Sequence, residues 1–526
     1  MSAPTTERPL ATVTEIAPAP TRFTARRKTQ LLVAVLTLCS GVVTAIGITG
    51  YPIRFGDEGV YIAQAWAIPN LHALAHYTYW YDHPPMGWVQ MSIWFELTRS
   101  LQRWSDNTVM AGREFMVVVR MATAALLFVL ARRLGMRNGW AALAVMLFVF
   151  SPLAVHYGRM VLLDNIALAW LLASFALALS PRRRWGAAVG AAVCFTVAVT
   201  TKETLAIAAP ALAYALWRHY RGAGNREYVV VSFAVVFVMS VSLYPLFAAI
   251  KNELLPGPGH VSLWEAIEWQ LSARAGSGSI LDAGSDVRML IDTWLALDLL
   301  LPVGGVIATA TLIFVPRWRP VAVLVAFQLA MLVRGGYVPA MYVVTLLPFL
   351  ALALAAVADL GHSRLAAWSR TEPVPRFAVL ALVAALIAYP IAATTLAHTW
   401  PDTLHRQFTL DEDRPEREAV AWIAANIPRD ALLVTESELW LDLLNAGFDA
   451  RHNVWVYKVD SDPGVATEIG NWTAIDYLAL SAATISAQSP ATMPWVFTAL
   501  DYGRVLATFG EGANTVTVLK VDKTDS

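Results

Sequence analysis

The chain has 526 residues, 57% of them hydrophobic and only 15% charged. Soluble domains carry roughly 25% charged residues, so a chain facing water throughout is excluded. Lys plus Arg and Asp plus Glu both number 39, giving zero net charge, and the basic excess expected of a nucleic-acid partner is missing. Cys39 and Cys194 sit inside apolar runs and indicate neither a disulfide frame nor a cysteine metal site.

Residues 1–20 are rich in Thr, Pro and Ala without apolar periodicity and read as a disordered tail. Arg22, Arg26, Arg27 and Lys28 follow, and then an apolar run begins that is long for a signal peptide and has no good small-x-small cleavage site before Tyr51. An uncleaved first span is expected, which makes 1–29 a cytoplasmic tail. About twenty apolar residues cross a bilayer. Such runs recur near 30–50, 114–131, 139–155, 162–180, 185–200, 203–218, 228–250, 291–315, 320–334, 338–358 and 377–397. They predict a polytopic α-helical membrane protein with about eleven transmembrane helices, thirteen being the alternative. Twenty Trp and sixteen Tyr suit its many membrane interfaces.

The positive-inside rule sets orientation. With the N-terminus inside, the connections 132–138, 181–184, 219–227, 316–319 and 359–376 are inner, and each carries Arg, as in Arg132, Arg133 and Arg137 or Arg182, Arg183 and Arg184. The stretch 86–101 is partly apolar but holds Gln90, Glu96 and Arg99. A full crossing there would move every basic cluster outside, so it is expected to lie along or dip into the outer face. The same parity places residues 401–526 outside, in a multi-pass protein of the plasma membrane. That segment reads as a small extracytoplasmic α/β domain, with strands at Ala431–Thr435, Asn453–Tyr457, Ile475–Ser481, Arg504–Phe509 and Thr515–Val521 and helices at 415–426 and 437–446. A structural or acceptor-docking cap is its expected role. The membrane domain is then 30–400.

Polar residues that interrupt apolar sequence gather on the outer face. They are Arg54, Asp57, Glu58, Tyr61 and the run Tyr79-Trp80-Tyr81-Asp82-His83-Pro84-Pro85; His156, Arg159, Asp164 and Asn165; Lys202 and Glu203; Trp264, Trp269 and Arg274 in the loop 251–290; and Arg334 with Tyr337. Charges near a bilayer are costly and are usually kept for function. Each also has a plainer role. Asp57 and Glu58 complement a helix dipole, Arg159, Lys202 and Arg334 snorkel to headgroups, Asp164 partners Arg159, Glu203 partners a cation, and Arg120, inside a span, needs a partner or a wet cavity. Together they fit transfer from a polyprenyl-phosphate sugar. That reaction needs a base for the acceptor hydroxyl and cations for the departing phosphate, and no nucleotide fold.

Asp57-Glu58, His83-Pro84-Pro85, Arg120, Ala131-Arg-Arg-Leu-Gly135, Ser151-Pro152, Gly158-Arg159 through Asp164-Asn165, and Thr201-Lys202-Glu203, in that order, resemble the GT-C membrane glycosyltransferases. The likeness is to the glycosyltransferase family 39-like members, which include protein O-mannosyltransferases and lipid A aminoarabinose transferases. It covers about residues 30–360. It implies a glycosyltransferase for hexosyl or pentosyl transfer, working on the cell envelope, with Asp57 as general base and Glu58 orienting Asp57 or the acceptor. Arg159 and Lys202 would face the donor phosphate, with His83 and Arg334 as further phosphate contacts and Asp164, Tyr61 and Arg120 shaping the site. Aminoarabinose-transferase-like members often carry Lys where this chain has His83. One base activating an acceptor implies inversion, since retention normally needs a second, nucleophilic carboxylate. Asp57, Glu58 and Asp164 could ligate a divalent cation through oxygen, and some members of the class use one. The acceptor would be a lipid, a glycan or a protein. Two other classes compete. A secondary transporter would use intramembrane Asp298 and Gln328, though no internal repeat is evident. A non-catalytic anchor would only present the C-terminal domain, and would be indifferent to Asp57→Asn.

Overall fold

The computed structural model describes residues 22–368 and 392–523. The N-terminal stretch 1–20 and most of the expected span 377–397 lie outside the described residues.

The chain is a bundle of apolar helices followed by a small sheet. Helix α1, Arg22–Ala45, packs along the Thr108–Arg133 helix, and the Ser40 hydroxyl donates to the Arg120 carbonyl at 3.3 Å. The helices Leu163–Ala178 and Trp185–Thr201 pack along each other. Ala188, Ala191, Ala192 and Ala198 are buried on the second, and small residues let two helix backbones approach. Ser174 there donates to the Ala191 carbonyl at 2.8 Å.

By length and composition, five of the described helices can cross a membrane: Arg26–Ala45, Thr108–Arg133, Arg226–Ile250, Pro316–Val333 and Ala340–Arg364. The number is seven if each of two bent pairs is one span. The expected count of about eleven is higher for a physical reason. Leu163–Ala178 and Trp185–Thr201 have 16 and 17 residues, under the roughly twenty that a bilayer asks, and the run from 203 opens with a 3-10 turn at Glu203–Ala208. One bend, of 63°, lies between Asn138–Phe150 and Pro152–Arg159. Pro152 cannot continue the hydrogen-bond ladder there, and Ser151 Oγ caps the new helix by accepting from Ala154 N–H at 3.2 Å. The other, of 105°, lies between Asp286–Leu297 and Leu300–Leu312. Asp298 holds it by accepting from Leu300 N–H at 2.8 Å, Leu301 N–H at 3.1 Å and the Trp400 indole at 3.2 Å, and from the Ser151 hydroxyl. Gln328 donates to Thr345 Oγ1 at 2.6 Å. The two intramembrane polar residues that suggested a transporter therefore have structural partners.

Helix α2 is Gly56–Leu71 and α3 is Met86–Thr98. The thirteen residues of α3 reach about 20 Å, less than a hydrocarbon core of about 30 Å, and the chain turns at Arg99, whose φ is 54°. The basic connections meet one another. Arg137 pairs with Asp359 at 2.8 Å, a side chain at Gly135 would lie 3.0 Å from Arg317, and the Tyr220 hydroxyl donates to the Arg184 carbonyl at 3.0 Å.

After Trp400 come helices at Trp400–Thr409, Arg414–Asn426 and Ser437–Asn445 and five strands. The strands are β1 Leu433–Thr435, β2 Asn453–Trp455, β3 Tyr477–Ser481, β4 Gly503–Phe509 and β5 Val516–Val521, in the order β2-β1-β3-β5-β4. β1 pairs in parallel with β2 and β3, while β5 runs antiparallel to β3 and β4. Successive residues enter opposite cores, as strand geometry dictates. Val434, Leu478, Leu480 and Leu519 go to one, and Leu433, Ala479 and Val518 to the other. The second strand stops at Trp455, short of the expected Tyr457, because the chain turns into a short helix at Val456–Val459.

Candidate active site

Adjacent residues on a helix point about 100° apart, and at the start of α2 this separates two carboxylates. Glu58 turns inward and is fully buried. Its Oε1 accepts from Arg113 Nε at 3.1 Å and Val161 N–H at 2.8 Å, and its Oε2 from Arg113 Nη2 at 3.0 Å and Phe55 N–H at 3.1 Å. Arg113 also donates to the carbonyls of Ile48 (3.0 Å) and Pro52 (2.8 Å) and to Asp413 Oδ2 (3.1 Å), so all five of its N–H groups are used. Glu58 is thus a structural anchor with no lone pair left for Asp57 or an acceptor, which corrects its expected catalytic role. Beside it, buried Arg54 pairs with Asp442 at 2.9 Å and lies 3.6 Å from Glu416 and 3.7 Å from Asp413. These pairs lock the first loop to the C-terminal unit. Burial drives the Glu416 carboxyl well above its ordinary range, Arg54 only partly offsetting it.

Asp57 faces the other way and is half-buried. Its hydrogen-bond partner among the described residues is the Tyr61 hydroxyl, at 3.5 Å. Burial pushes its carboxyl above the ordinary value, with Lys202 and His83 pulling back. Lys202 ends the Trp185–Thr201 helix and is buried. Its ammonium lies 3.0 Å from His83 Nε2 and 3.9 Å from Asp164 Oδ2, and Asp164 comes from the first turn of Leu163–Ala178. His83 Nδ1 is 3.1 Å from Glu203 Oε2. With Nδ1–H donating to Glu203, Nε2 is left to accept from the Lys202 ammonium, a tautomer assigned from these partners. In that state both ring nitrogens are engaged and His83 braces Lys202 rather than offering an N–H to a phosphate. Burial lowers the Lys202 pKa, but Asp164, Glu203 and Asp57 outweigh it and raise it overall. Burial likewise raises Glu203, and His83 with Lys202 overrides that and holds it at about 2.

Three other expected phosphate or site contacts lie elsewhere. Arg159 is buried, donates to the carbonyls of Gln407 at 2.8 Å and Val43 at 3.1 Å and to that of Ile46, and stacks over Phe408 at 5.1 Å. It is a helix-end staple, and Asp164 pairs with Lys202 instead of with it. Arg120 lies 4.1 Å over the Phe148 ring and fits because residue 158 is Gly, where a Cβ would come within 2.8 Å of its Nε. Arg334 is exposed and folds over Gly336. Among the described residues no three His, Cys, Asp or Glu side chains converge on a metal-sized site. Asp57, Glu58 and Asp164 are kept apart by their separate partners.

The structure gives a place to two outer-face residues to which the sequence assigned no role. Asp82 acts electrostatically on both Asp57 and Lys202. Arg274, half-buried, stacks over Tyr337 at 3.3 Å and Trp269 at 4.8 Å, and its charge also reaches Asp57. The C-terminal unit comes in as well, with the Ser437 hydroxyl donating to the Gly56 carbonyl at 2.8 Å.

Residues 82–244 match the family described as dolichyl-phosphate-mannose-protein mannosyltransferase. No curated protein matches the chain. Among solved structures, ArnT from Cupriavidus metallidurans bound to undecaprenyl phosphate is 16% identical with a TM-score of 0.55, covering 95% of this chain and 99% of its own. The chain has the GT-C glycosyltransferase fold. The same fold appears in the Archaeoglobus fulgidus oligosaccharyltransferase in its apo form, 10% identical with a TM-score of 0.52, covering 94% of this chain and 75% of that one. It appears again in AglB of that organism in complex with an inhibitory peptide and a dolichol-phosphate, with a TM-score of 0.53 and 10% identity over 95% of this chain and 75% of that one. With five described helices long and apolar enough to cross a bilayer, the chain is a multi-pass membrane protein. Within the GT-C fold here, the family match contains Asp82, His83, Arg113, Asp164, Lys202 and Glu203, while Asp57 and Arg274 lie outside it.

Proposed function

We propose that the chain transfers a sugar from a polyprenyl-phosphate donor to an acceptor hydroxyl at the outer membrane face, with inversion. Asp57 takes the hydroxyl proton as the acceptor oxygen attacks the anomeric carbon. The anomeric carbon–oxygen bond breaks, and its electron pair leaves on the lipid phosphate. Lys202 and Arg274 stabilise that developing charge. The observation carrying this reading is the free side of Asp57, a half-buried carboxylate with one long hydrogen bond that shares its surroundings with Lys202, His83 and Arg274. Its raised pKa suits a base, since proton-transfer driving force grows with basicity. A ligand phosphate would find an ammonium whose carboxylate partner stands 3.9 Å away, beyond hydrogen-bond reach. The basic inner connections read from the sequence support the outer-face assignment.

The test is sugar transfer by purified protein in detergent, from a panel of radiolabelled polyprenyl-phosphate sugars to an envelope extract, with Asp57→Asn compared at equal folded yield. Wild-type transfer with a loss of roughly a hundred- to ten-thousandfold in the variant is expected. Equal transfer by both would remove Asp57 as base. No transfer by either, with a panel that serves a control enzyme, would remove the proposed reaction.

A further inference from the structure

The C-terminal unit does more than rest on the bundle. Gly59 of α2 lies so close to it that a Cβ would come 2.3 Å from the Ser437 carbonyl carbon and from Glu438 N. The loop before α3 is tied to the same unit at several points. The Tyr77 hydroxyl donates to the Asn453 carbonyl at 3.3 Å and accepts from Trp455 N–H at 3.1 Å. Thr78 Oγ1 donates to Asp462 at 3.0 Å. The Lys458 ammonium sits 3.4 Å from the centre of the Trp80 ring and 3.2 Å from Asp462. The short helix Val456–Val459 is thereby fixed against the loop before α3.

On that helix Tyr457 spans the seam. It packs against the core that holds Tyr61, Trp88 and Trp440 and also against the core of the sheet. Its hydroxyl oxygen is buried, and among the described residues it meets the Ser437 hydroxyl without the geometry of a full hydrogen bond. Buried hydroxyls are nearly always fully paired, and this one, loosely met by Ser437, packs against the core of Tyr61, whose own hydroxyl donates to Asp57. We propose that Tyr457 is an acceptor-side residue of the active site, whose phenol hydrogen-bonds the acceptor and holds its hydroxyl against Asp57. Burial first, then the Asp57 charge, raises the phenol well above its ordinary value, so it keeps its proton and stays a donor. Lys458 works at one remove, fixing Trp80. Burial lowers this ammonium to about 8, and Asp462 offsets only part of that.

The inference rests on the glycosyl-transfer reading, and the experiment separates the two. Tyr457→Phe removes one oxygen and leaves the ring packed. Transfer is measured against increasing envelope extract, and undecaprenyl phosphate binding is measured separately by quenching of tryptophan emission. The expected result is a half-saturating extract concentration raised about five- to tenfold, with undecaprenyl phosphate affinity unchanged. Unchanged half-saturation, or an equal loss of undecaprenyl phosphate affinity, would overturn the acceptor assignment while leaving the transfer reaction standing. A wild type without transfer would overturn the reaction and this inference with it. If Tyr457→Phe yields no folded protein, Lys458→Met gives a second measure of the segment. The same split is expected there, and its absence overturns the assignment.

Discussion

Replacing Glu58 with Gln separates a structural carboxylate from a catalytic one. Glu58 and Arg113 are both fully buried, and four N–H groups point at the two oxygens of Glu58. A glutamine there must put its NH2 against two of them. At the Oε1 position it would oppose Arg113 Nε and Val161 N–H, and at the Oε2 position Arg113 Nη2 and Phe55 N–H. Arg113 would keep Asp413 as its remaining carboxylate. Removing one member of a buried, hydrogen-bonded pair costs roughly 3–5 kcal/mol because the other charge stays buried. At about 2 °C per kcal/mol for a large domain, the apparent melting temperature falls by about 6–10 °C. Asp57→Asn touches one 3.5 Å hydrogen bond and leaves the melting temperature near that of the wild type. Thermal denaturation in one detergent, followed by tryptophan emission and paired with the transfer assay below the transition, gives both numbers. Glu58→Gln should lose stability and keep turnover per folded molecule, and Asp57→Asn should do the reverse. A Glu58→Gln protein that melts with the wild type yet transfers as poorly as Asp57→Asn would refute the division of roles.

Gly59→Ala pushes a methyl into backbone on the C-terminal unit, 2.3 Å from Ser437 C and Glu438 N, where no side chain can move aside. The overpacking costs about 1–3 kcal/mol or more, and limited proteolysis should then cut the C-terminal unit faster than in wild type. Lys202→Gln keeps a donor to His83 and removes the cation. Undecaprenyl phosphate affinity should fall roughly ten- to a hundredfold, and unchanged affinity would move the phosphate site elsewhere. Glu203 is held at about 2, below its ordinary 4.5. Its folded-state contribution is present above about pH 4.5 and is lost as pH falls toward 2. Wild type and Glu203→Gln should therefore differ in melting temperature at neutral pH and converge in acid.

Polar residues standing in apolar sequence on one face marked Asp57, His83, Asp164 and Lys202, and the fold brings these together. The same signal marked Glu58 and Arg159, which are anchors. Burying a charge is costly whatever its role, so apolar context does not separate a catalytic group from a staple. What separates them is saturation by partners, and those are distant in the chain, such as Asp413, 300 positions from Arg113. Arg113 itself escaped notice because it sits at the edge of an apolar run, where an arginine reads as an interface residue. The strands were legible from alternating apolar residues. The helix carrying Tyr457 was not, since Val454 to Tyr457 is an unbroken apolar run that leads into a turn held through Lys458 over Trp80 and Trp455 N–H on Tyr77. Helix existence was legible where apolar runs were long, but their breaks depend on partners such as Asp298 that answer residues far away.

The charges around the site lead to one more expectation. Asp57, Asp82, Asp164 and Glu203 face Lys202 and Arg274, and these groups act on one another. With His83 neutral, two negative charges are in excess before any phosphate arrives. A donor phosphodiester adds another, so binding should favour whichever group can take a proton without losing the base. His83 is that group. Burial and Lys202 push its pKa down, yet Glu203 raises it overall above 6.5. Protonation also ends its acceptance from Lys202 and frees an ammonium N–H for the ligand. Because the protonated form is the one that suits an anion, undecaprenyl phosphate affinity should be highest below the His83 pKa. It should decline as pH rises through that value, with proton uptake on binding. His83→Gln should bind more weakly and lose this dependence, whereas His83→Lys should bind tightly across the same range. Wild-type affinity flat from pH 6 to 9 would show that the excess negative charge is neutralised some other way, for which titration with a divalent cation is the direct control.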